Sequence, residues 1–219
     1  MPGNLGIIAS GYSATSSSPP VVASSTVLAE GYVVGSTTIN KPSGVVSGDL
    51  IVIFTNIETA ENTVTISGFT KRVERSDNNA YVIQATVFTK VATGSEGSTF
   101  TINVANDTNV SAIALRITGA NTSTPYDTSA TATSFGDYVL ERNFSTITTG
   151  YANELVLGCL AQGDPLDNES ISGWTKVTNT TGTYVYYRNA VAAGSISQTD
   201  FDQPTTYDMW ISFAVGIRS

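Results

Sequence analysis

SGFTKRV (residues 67–73) and SGWTKVT (residues 172–178) are two nearly identical segments of one chain, 105 positions apart. We call this seven-residue motif the repeated phrase. Each copy places a glycine directly before an aromatic residue and a threonine. Glycine accepts turn conformations that other residues avoid, and threonine suits the pleated surface of a strand. The phrase therefore predicts a tight turn that leads into a β-strand, made once in each of two similar halves.

Further matches extend the repeat on both sides of the phrase. GDLIVIF (48–54) and NELVLGC (153–159) each begin 19 residues before the repeated serine. VATGS (91–95) matches VAAGS (191–195), an offset of 100 rather than 105, which predicts one loop five residues shorter in the second half. We expect the halves to cover about 41–119 and 138–219.

The last strand of each half shows the two-residue period of a β-strand with one face in a core. In MWISFAVGI the apolar face is expected to hold Met209, Ile211, Phe213, Val215 and Ile217. In SAIALRI the corresponding residues are Ile113, Leu115 and Ile117, and the opposite side carries Ala112, Ala114 and Arg116. This second, small-residue face is expected to meet either solvent or a neighbouring subunit.

The fold class follows from the length and the composition. The chain has 219 residues, of which only 13% are charged, and Thr, Val, Gly, Ser and Asn are abundant. We predict an all-β protein: a jelly-roll-like β-sandwich over residues 21–219, with Phe69 and Trp174 as paired core aromatics and a further strand from Tyr138 to Phe144. Two tandem immunoglobulin-like domains are the alternative.

Residues 1–20 differ from the rest, being small, polar and rich in turn formers, with SSSPP at their end. We predict an extended N-terminal arm that binds another chain. Its contact residues would be the apolar anchor Leu5, Gly6, Ile7 and Ile8. The alternative is that the arm folds back as an edge strand of its own half.

The composition excludes several classes of function. Histidine is absent, which removes the commonest general base and zinc ligand. The net charge of −8 and the scattered basic residues argue against nucleic acid as a partner. Cys159 lies in an apolar strand and is expected to be buried and unreactive. We expect no enzymatic activity, no metal ion and no other cofactor, no membrane contact, and synthesis in the cytoplasm, because no secretory signal is evident.

Three segments offer weaker candidate sites. GDPLDNES (163–170) could hold Ca²⁺ through Asp164, Asp167 and Glu169, although an ordinary solvated loop fits better. Asp200 and Asp202 are expected to be surface charge. Tyr184 and Tyr186 would share one strand face and could stack on a sugar ring, with Tyr187 on the opposite face; one of these faces is expected to be core.

Several stretches resemble a family of bacteriophage virion and tail-associated jelly-roll proteins. KPSGVVSGDLIVIF (41–54) is similar to that family's opening PxGvxxGDLLva, and TVFTKVATGSE (86–96) to its fyKvAgasE segment. IALRITGANTSTPYD (113–127), the closing WISFAVGIRS (210–219) and the start NLGIIASGY (4–12) are also similar to parts of these proteins. Leu115 departs from the family, which often has an aromatic residue before its Arg-Gly step.

The resemblance implies a structural component of a phage particle and brings no catalytic residues. The most specific expectation is a capsid decoration (cement) protein on the exterior of the virion head. Its partners would be the major capsid protein and further copies of itself, in a homotrimer. A tail or fibre component that binds host surface carbohydrate is the second hypothesis, and a bacterial surface adhesin module is the third.

Overall fold

The computed structural model describes residues 18–59, 62–77, 82–139, 144, 146–163, 171–190, 192–197 and 208–219, with backbone alone for 129–139, 190 and 208. Within these residues the first part of the chain forms β1 (Val21–Val33), β2 (Ser36–Asn40), β3 (Leu50–Ile57), β4 (Val64–Ile66), β5 (Thr70–Asp77), β6 (Ile83–Val91), β7 (Thr99–Val104) and β8 (Thr108–Thr118). The second part forms β9 (Tyr126–Val139), β10 (Ile147–Thr149), β11 (Glu154–Gln162), β12 (Thr175–Thr180), β13 (Thr183–Ala190), β14 (Gly194–Ile196) and β15 (Asp208–Ile217). The described residues contain no helix, so the prediction of an all-β fold is confirmed.

The strands form two large and two small antiparallel sheets. The first large sheet has the order β1-β8-β3-β6-β5, and the second has the order β9-β15-β11-β13-β12. Equivalent strands therefore occupy equivalent places in the two sheets. A three-stranded sheet, β2-β7-β4, accompanies the first, and a two-stranded sheet, β10-β14, accompanies the second. The correspondence begins at β1 and β9, earlier than the predicted starts of the halves at 41 and 138.

Three apolar clusters hold the four layers together. The central core lies between the two large sheets, where alternate residues of β3 meet alternate residues of β11; Phe54 and Phe213 contact edge to face across it, with ring centroids 5.9 Å apart. The first outer core fills the space between the first large sheet and its three-stranded partner. The second outer core does the same on the opposite side of the molecule. The result is a layered, sandwich-like arrangement.

The two large sheets face each other in an order that a two-fold axis would produce. β3 packs over β11, β1 packs over β12 as β9 packs over β5, and β8 packs over β13 as β15 packs over β6. Such a contact is isologous, because the same surface of each half meets its own counterpart. The two halves are thus related as the subunits of a symmetric dimer, joined in one chain.

The repeated phrase makes the same turn in both halves. Gly68 and Gly173 have φ angles of 76° and 77°, in the left-handed region that favours glycine. Phe69 and Trp174 each donate a backbone hydrogen bond, at 3.1 Å, to the carbonyl of the isoleucine three residues earlier. The strand that follows is bulged at the same step, just after each phrase's lysine. The predicted turn is confirmed.

Phe69 and Trp174 do not share a core, contrary to the prediction of paired core aromatics. Phe69 contacts Phe100 at the first outer core, while Trp174 contacts Phe144 at the second. Both rings are only partly buried. The turn that precedes each aromatic directs its ring to the outer side of its own large sheet, away from the central core.

The small-residue strand faces are also buried within the chain, so the prediction that they meet solvent or a neighbouring subunit is wrong. Ala112 and Ala114 line the first outer core, and Ala214 lines the second. Small side chains leave room for the outer sheets to approach. The large sheets are therefore covered on both faces.

The length difference between the halves arises in two places rather than in one loop. Val52 pairs with Thr89 whereas its equivalent Leu157 pairs with Tyr187, so β6 and β13 correspond at an offset of 98. The β12–β13 hairpin is therefore seven residues shorter than the β5–β6 hairpin: its turn has two residues, 181–182, where the five residues 78–82 join β5 to β6, and each of its two strands lacks two residues next to the turn. Two residues are regained before β15, which gives the net difference of five.

Candidate interaction surface

The sites predicted from the sequence have different outcomes. Leu5, Gly6, Ile7 and Ile8 lie outside the described residues, as do 164–170 of the acidic loop and both Asp200 and Asp202. Tyr184 and Tyr186 are 1% and 0% exposed and belong to the second outer core. They offer no surface to a sugar ring, so their assignment as glycan contacts is wrong. Tyr187 points to the opposite, central core, as the alternation predicted.

Two features of the described residues bear on covalent and metal chemistry, and one bears on membranes. Cys159 is fully buried in the central core, where burial raises the pKa of its thiol. No group of three or more His, Cys, Asp or Glu side chains in the described part of the chain could hold a metal ion. No helix able to cross a membrane occurs in the same residues.

Exposed apolar side chains are concentrated on β1 and on the turn that follows it. Val21, Val27, Tyr32 and Val34 are 55%, 44%, 70% and 69% exposed. We call these four residues the β1 surface. Because these side chains are already partly covered, burying the rest of each against a partner would contribute less than the roughly 1.5–3 kcal/mol of a full burial, before the cost of association is subtracted.

β1 is also an edge strand without charge over most of its length. It pairs with β8 on one side, and no charged residue occurs from Val21 to Ala29. The opposite edge of the same sheet, β5, carries five charged residues, namely Lys71, Arg72, Glu74, Arg75 and Asp77. Charges on an edge discourage pairing with other chains. β1 lacks this protection, and it starts just after the N-terminal residues 1–20.

Two acidic residues lie near Tyr32, at the end of the β1 surface. Glu30 lies on β1, and Glu58 follows the end of β3. Partial burial and the neighbouring Glu58 carboxylate raise the pKa of Glu30. Glu58 in turn accepts a hydrogen bond of 2.6 Å from the Asn109 side chain, next to Tyr32 in the pairing of β1 with β8. A partner that binds at this end of β1 therefore meets the Tyr32 ring beside negative charge, whereas Ser24, nearer the start of the strand, pairs with Arg116.

Internal polar contacts fix the scaffold that presents this surface. Asn56 Nδ2 donates to the carbonyl oxygens of Gln162 and Gly182, at 3.2 and 3.1 Å, from one half to the other. The hydroxyls of Ser111 and Thr183 share a hydrogen bond of 2.6 Å across the same junction. These buried bonds specify how the halves meet, since each would be left unsatisfied in another alignment.

A second rigid point is the loop after β6. Although burial alone would raise it, the pKa of Glu96 is lowered to about 2 by hydrogen bonds from Thr93 and by the Lys90 ammonium, 3.2 Å away. The Glu96 carboxylate also accepts the Gly94 N–H at 2.9 Å. The VATGSE stretch is thus a loop closed on its own carboxylate, which gives it a structural role.

The sequence analysis did not predict the β1 surface, because an apolar residue within a strand pattern indicates a core position unless the strand is known to lie at an edge. The available signal was the run VVASSTVLA, which has high strand propensity and no charge.

Comparison with known proteins found no matching family, no similar curated protein and no similar solved structure.

Proposed function

We propose that this chain is a non-enzymatic structural protein of a bacteriophage particle, most specifically a decoration protein that stabilises the capsid by bridging its subunits. The resemblance of its motifs to phage virion jelly-roll proteins gives the protein class. The observation that carries the decoration role is the β1 surface, on an edge strand that is uncharged from Val21 to Ala29, with four exposed apolar side chains on this strand and the turn that follows it.

The architecture supports a role based on binding area. Both large sheets are covered on their two faces, and the halves are locked by buried contacts, so the scaffold presents its edges without rearrangement. The β1 surface continues directly into residues 1–20. Together, the strand edge and this segment offer an area on the order of 1,000–2,000 Å², which is the size of a stable protein–protein contact. In this proposal they contact the major capsid protein, and copies of the chain assemble as a homotrimer on the outside of the head.

Truncation and substitution test this contact. Full-length protein and a variant lacking residues 1–20 are mixed with capsids that lack the protein, and bound protein is measured by cosedimentation. We expect the truncated chain to keep its circular-dichroism spectrum and melting temperature but to lose attachment, because the segment would supply much of the buried area. Normal decoration by the truncated protein would contradict the proposed role of residues 1–20.

The β1 surface is tested with a matched pair of variants. The double substitution Tyr32→Ser, Val34→Ser removes two exposed apolar side chains, and Val46→Ser removes one that is 55% exposed on another loop. We expect at least tenfold weaker attachment for the first variant and wild-type attachment for the second. Equal attachment of the two variants would show that the capsid contact lies elsewhere on the molecule.

A tail or fibre component that binds carbohydrate is the second candidate. It has lost the support of Tyr184 and Tyr186, which are buried. The exposed tyrosines among the described residues, Tyr32 and Tyr151, do not form one platform: Tyr32 lies beside Asn109, and Tyr151 stacks with Arg218 before β11. Saturable binding on a glycan array that Tyr32→Ser abolishes would favour this candidate over capsid decoration.

A further inference from the structure

In the first half, a buried carboxylate at the start of β3 is neutralised by an arginine. Arg116 Nε donates to Asp49 Oδ2 at 2.7 Å, and the Val46 N–H donates to the same oxygen at 2.9 Å. Asp49 is almost fully buried. Its charge is therefore matched within the protein by a neighbouring strand, as buried charges require.

The second half keeps the carboxylate and loses the arginine. Glu154 precedes β11's Leu155 as Asp49 precedes β3's Leu50. In the first half Ile51 pairs with Arg116. In the second half the equivalent residue, Val156, pairs with Gly216. Gly216 also pairs with Asp127 on the edge strand β9, whereas Arg116 pairs with Ser24 on the edge strand β1. An ion pair has thus been exchanged for two acidic residues.

Geometry brings the two acids together. Tyr126 and Leu155 point into the central core, so their neighbours Asp127 and Glu154 both point to the outer face of the sheet. Gly216 lies between their strands and has no side chain to separate them. Asp127 accepts the Gly150 N–H at 3.3 Å. Glu154 is fully buried, and neither of its carboxyl oxygens has a hydrogen bond of standard geometry.

Among the described residues, two cations lie near this site. Arg218, just after β15, stacks over the ring of Tyr151 with its guanidinium carbon 3.8 Å from the ring centroid. On β13, Ala190 pairs with Glu154, and the nearest cation on this strand is Arg188, which is two residues away and exposed. From β10, the Thr149 hydroxyl is engaged with Gly194. Of these described cations, Arg218 is therefore the one that acts on the Glu154 carboxyl group.

We propose that Asp127 and Glu154 share one proton, which takes the place of the missing arginine and makes the contact between the start of β9 and the start of β11 sensitive to pH. With the proton on Glu154, its O–H donates to the Asp127 carboxylate, and the net charge of the trio with Arg218 is zero. Without it, two negative charges repel each other in a buried site. The contact then weakens, and with it the ends of β9 and β15.

The electrostatics agree in direction. Burial, then the hydrogen bond and the charge of Asp127, raise the pKa of Glu154 to about 8, against the opposing effects of Arg218 and the Tyr151 backbone. Because this pKa is above the ordinary value of 4.5, the folded state holds the proton more tightly than the unfolded state. The stabilisation is complete below about pH 4.5 and is lost as the pH rises to about 8, by up to a tenfold change in the unfolding equilibrium per pH unit.

Urea unfolding of the full chain at pH 5 to 9 tests the proposal. Glu154→Gln mimics the protonated acid and is expected to remove most of the loss of stability between pH 5 and 8. The matched control is Asp49→Asn, at the equivalent position of the first half. It should be less stable than wild type at every pH, because it leaves Arg116 unpaired, and should keep the wild-type slope.

Asp127→Asn provides a second test that does not depend on the folding of Glu154→Gln. Its amide can still accept the Gly150 N–H and removes the repulsion, so the slope should again decrease. The proposal is overturned if both variants keep the wild-type slope. It is also overturned if Ca²⁺, Mg²⁺ or Na⁺ raises the melting temperature of the wild type at pH 8.5 but not that of Glu154→Gln, since a bound cation would then occupy the place assigned to the proton.

Discussion

At the scale of single residues, the backbone conformation of a glycine has different consequences at different places. Gly35 and Gly182 both have φ near +70°, at 70° and 67°. A Cβ on Gly35 would meet nothing within 4 Å, whereas a Cβ on Gly182 would overlap the carbonyl oxygen of Gln162. Gly182 also accepts the hydrogen bond from Asn56 that links the halves.

This difference predicts unequal effects of the same substitution. Gly35→Ala should lower the free energy of unfolding by about 1 kcal/mol, the cost of the left-handed conformation alone. Gly182→Ala should lower it by roughly 3 kcal/mol or more, because overlap with buried backbone is added to that cost. Urea denaturation of the two variants beside wild type measures both values. Equal losses would mean that the β12–β13 turn can shift without disturbing the junction of the halves.

The backbone conformation of Asn153 could not be predicted from the sequence. It has φ of 59°, the only positive value outside glycine among the described residues, and it stands at the position of Gly48, whose φ is 91°. The repeat aligned the two residues correctly. Nothing in the sequence says that an asparagine there keeps the left-handed backbone, because asparagine is also common in ordinary turns.

At the scale of elements, the interface between the large sheets depends on β3 and β15. Phe54 and Phe213 are both buried and meet edge to face across the central core. Each substitution to alanine should cost about 3–5 kcal/mol of stability. The double variant should lose less than the sum, with a coupling of about 0.5–1.5 kcal/mol from the ring pair.

A double-mutant cycle by urea denaturation measures this coupling. Phe88→Ala is the control, because its ring lies in the first outer core and does not meet Phe213. Its loss should add to that of Phe213→Ala without coupling. Additive losses for the Phe54 and Phe213 pair would argue that the rings contribute only buried area and no specific contact.

The strands were more predictable than the layers that cover them. The alternation in 209–217 and 111–117 identified one apolar face correctly, because a period of two is a direct property of strand geometry. The second face holds Ala112, Ala114 and Ser212, which resemble a surface in composition. Their burial depends on β2, β7 and β4, or on β10 and β14. Apart from β7, whose sequence TFTINV alternates, these strands have three to five residues, too few to carry a clear pattern of their own.

At the scale of the whole molecule, the two similar halves could be recognised from the sequence, because turn and core residues recur at fixed offsets. The paired arrangement of the halves was not, since it depends on contacts such as Asn56 to Gln162 that join residues far apart in the chain. The β1 surface was hidden for a similar reason. An apolar residue in a strand reads as core until the topology shows that its strand is at an edge.

The proposed role as a capsid decoration protein is a claim about location. Under this proposal the chain is encoded by a phage, and the most direct test is immunogold electron microscopy of the intact virions of that phage, with an antibody raised against residues 21–219. We expect gold over the outer surface of the head, at a density that indicates many copies. Gold confined to the tail or its fibres would contradict the decoration role and direct attention to carbohydrate binding.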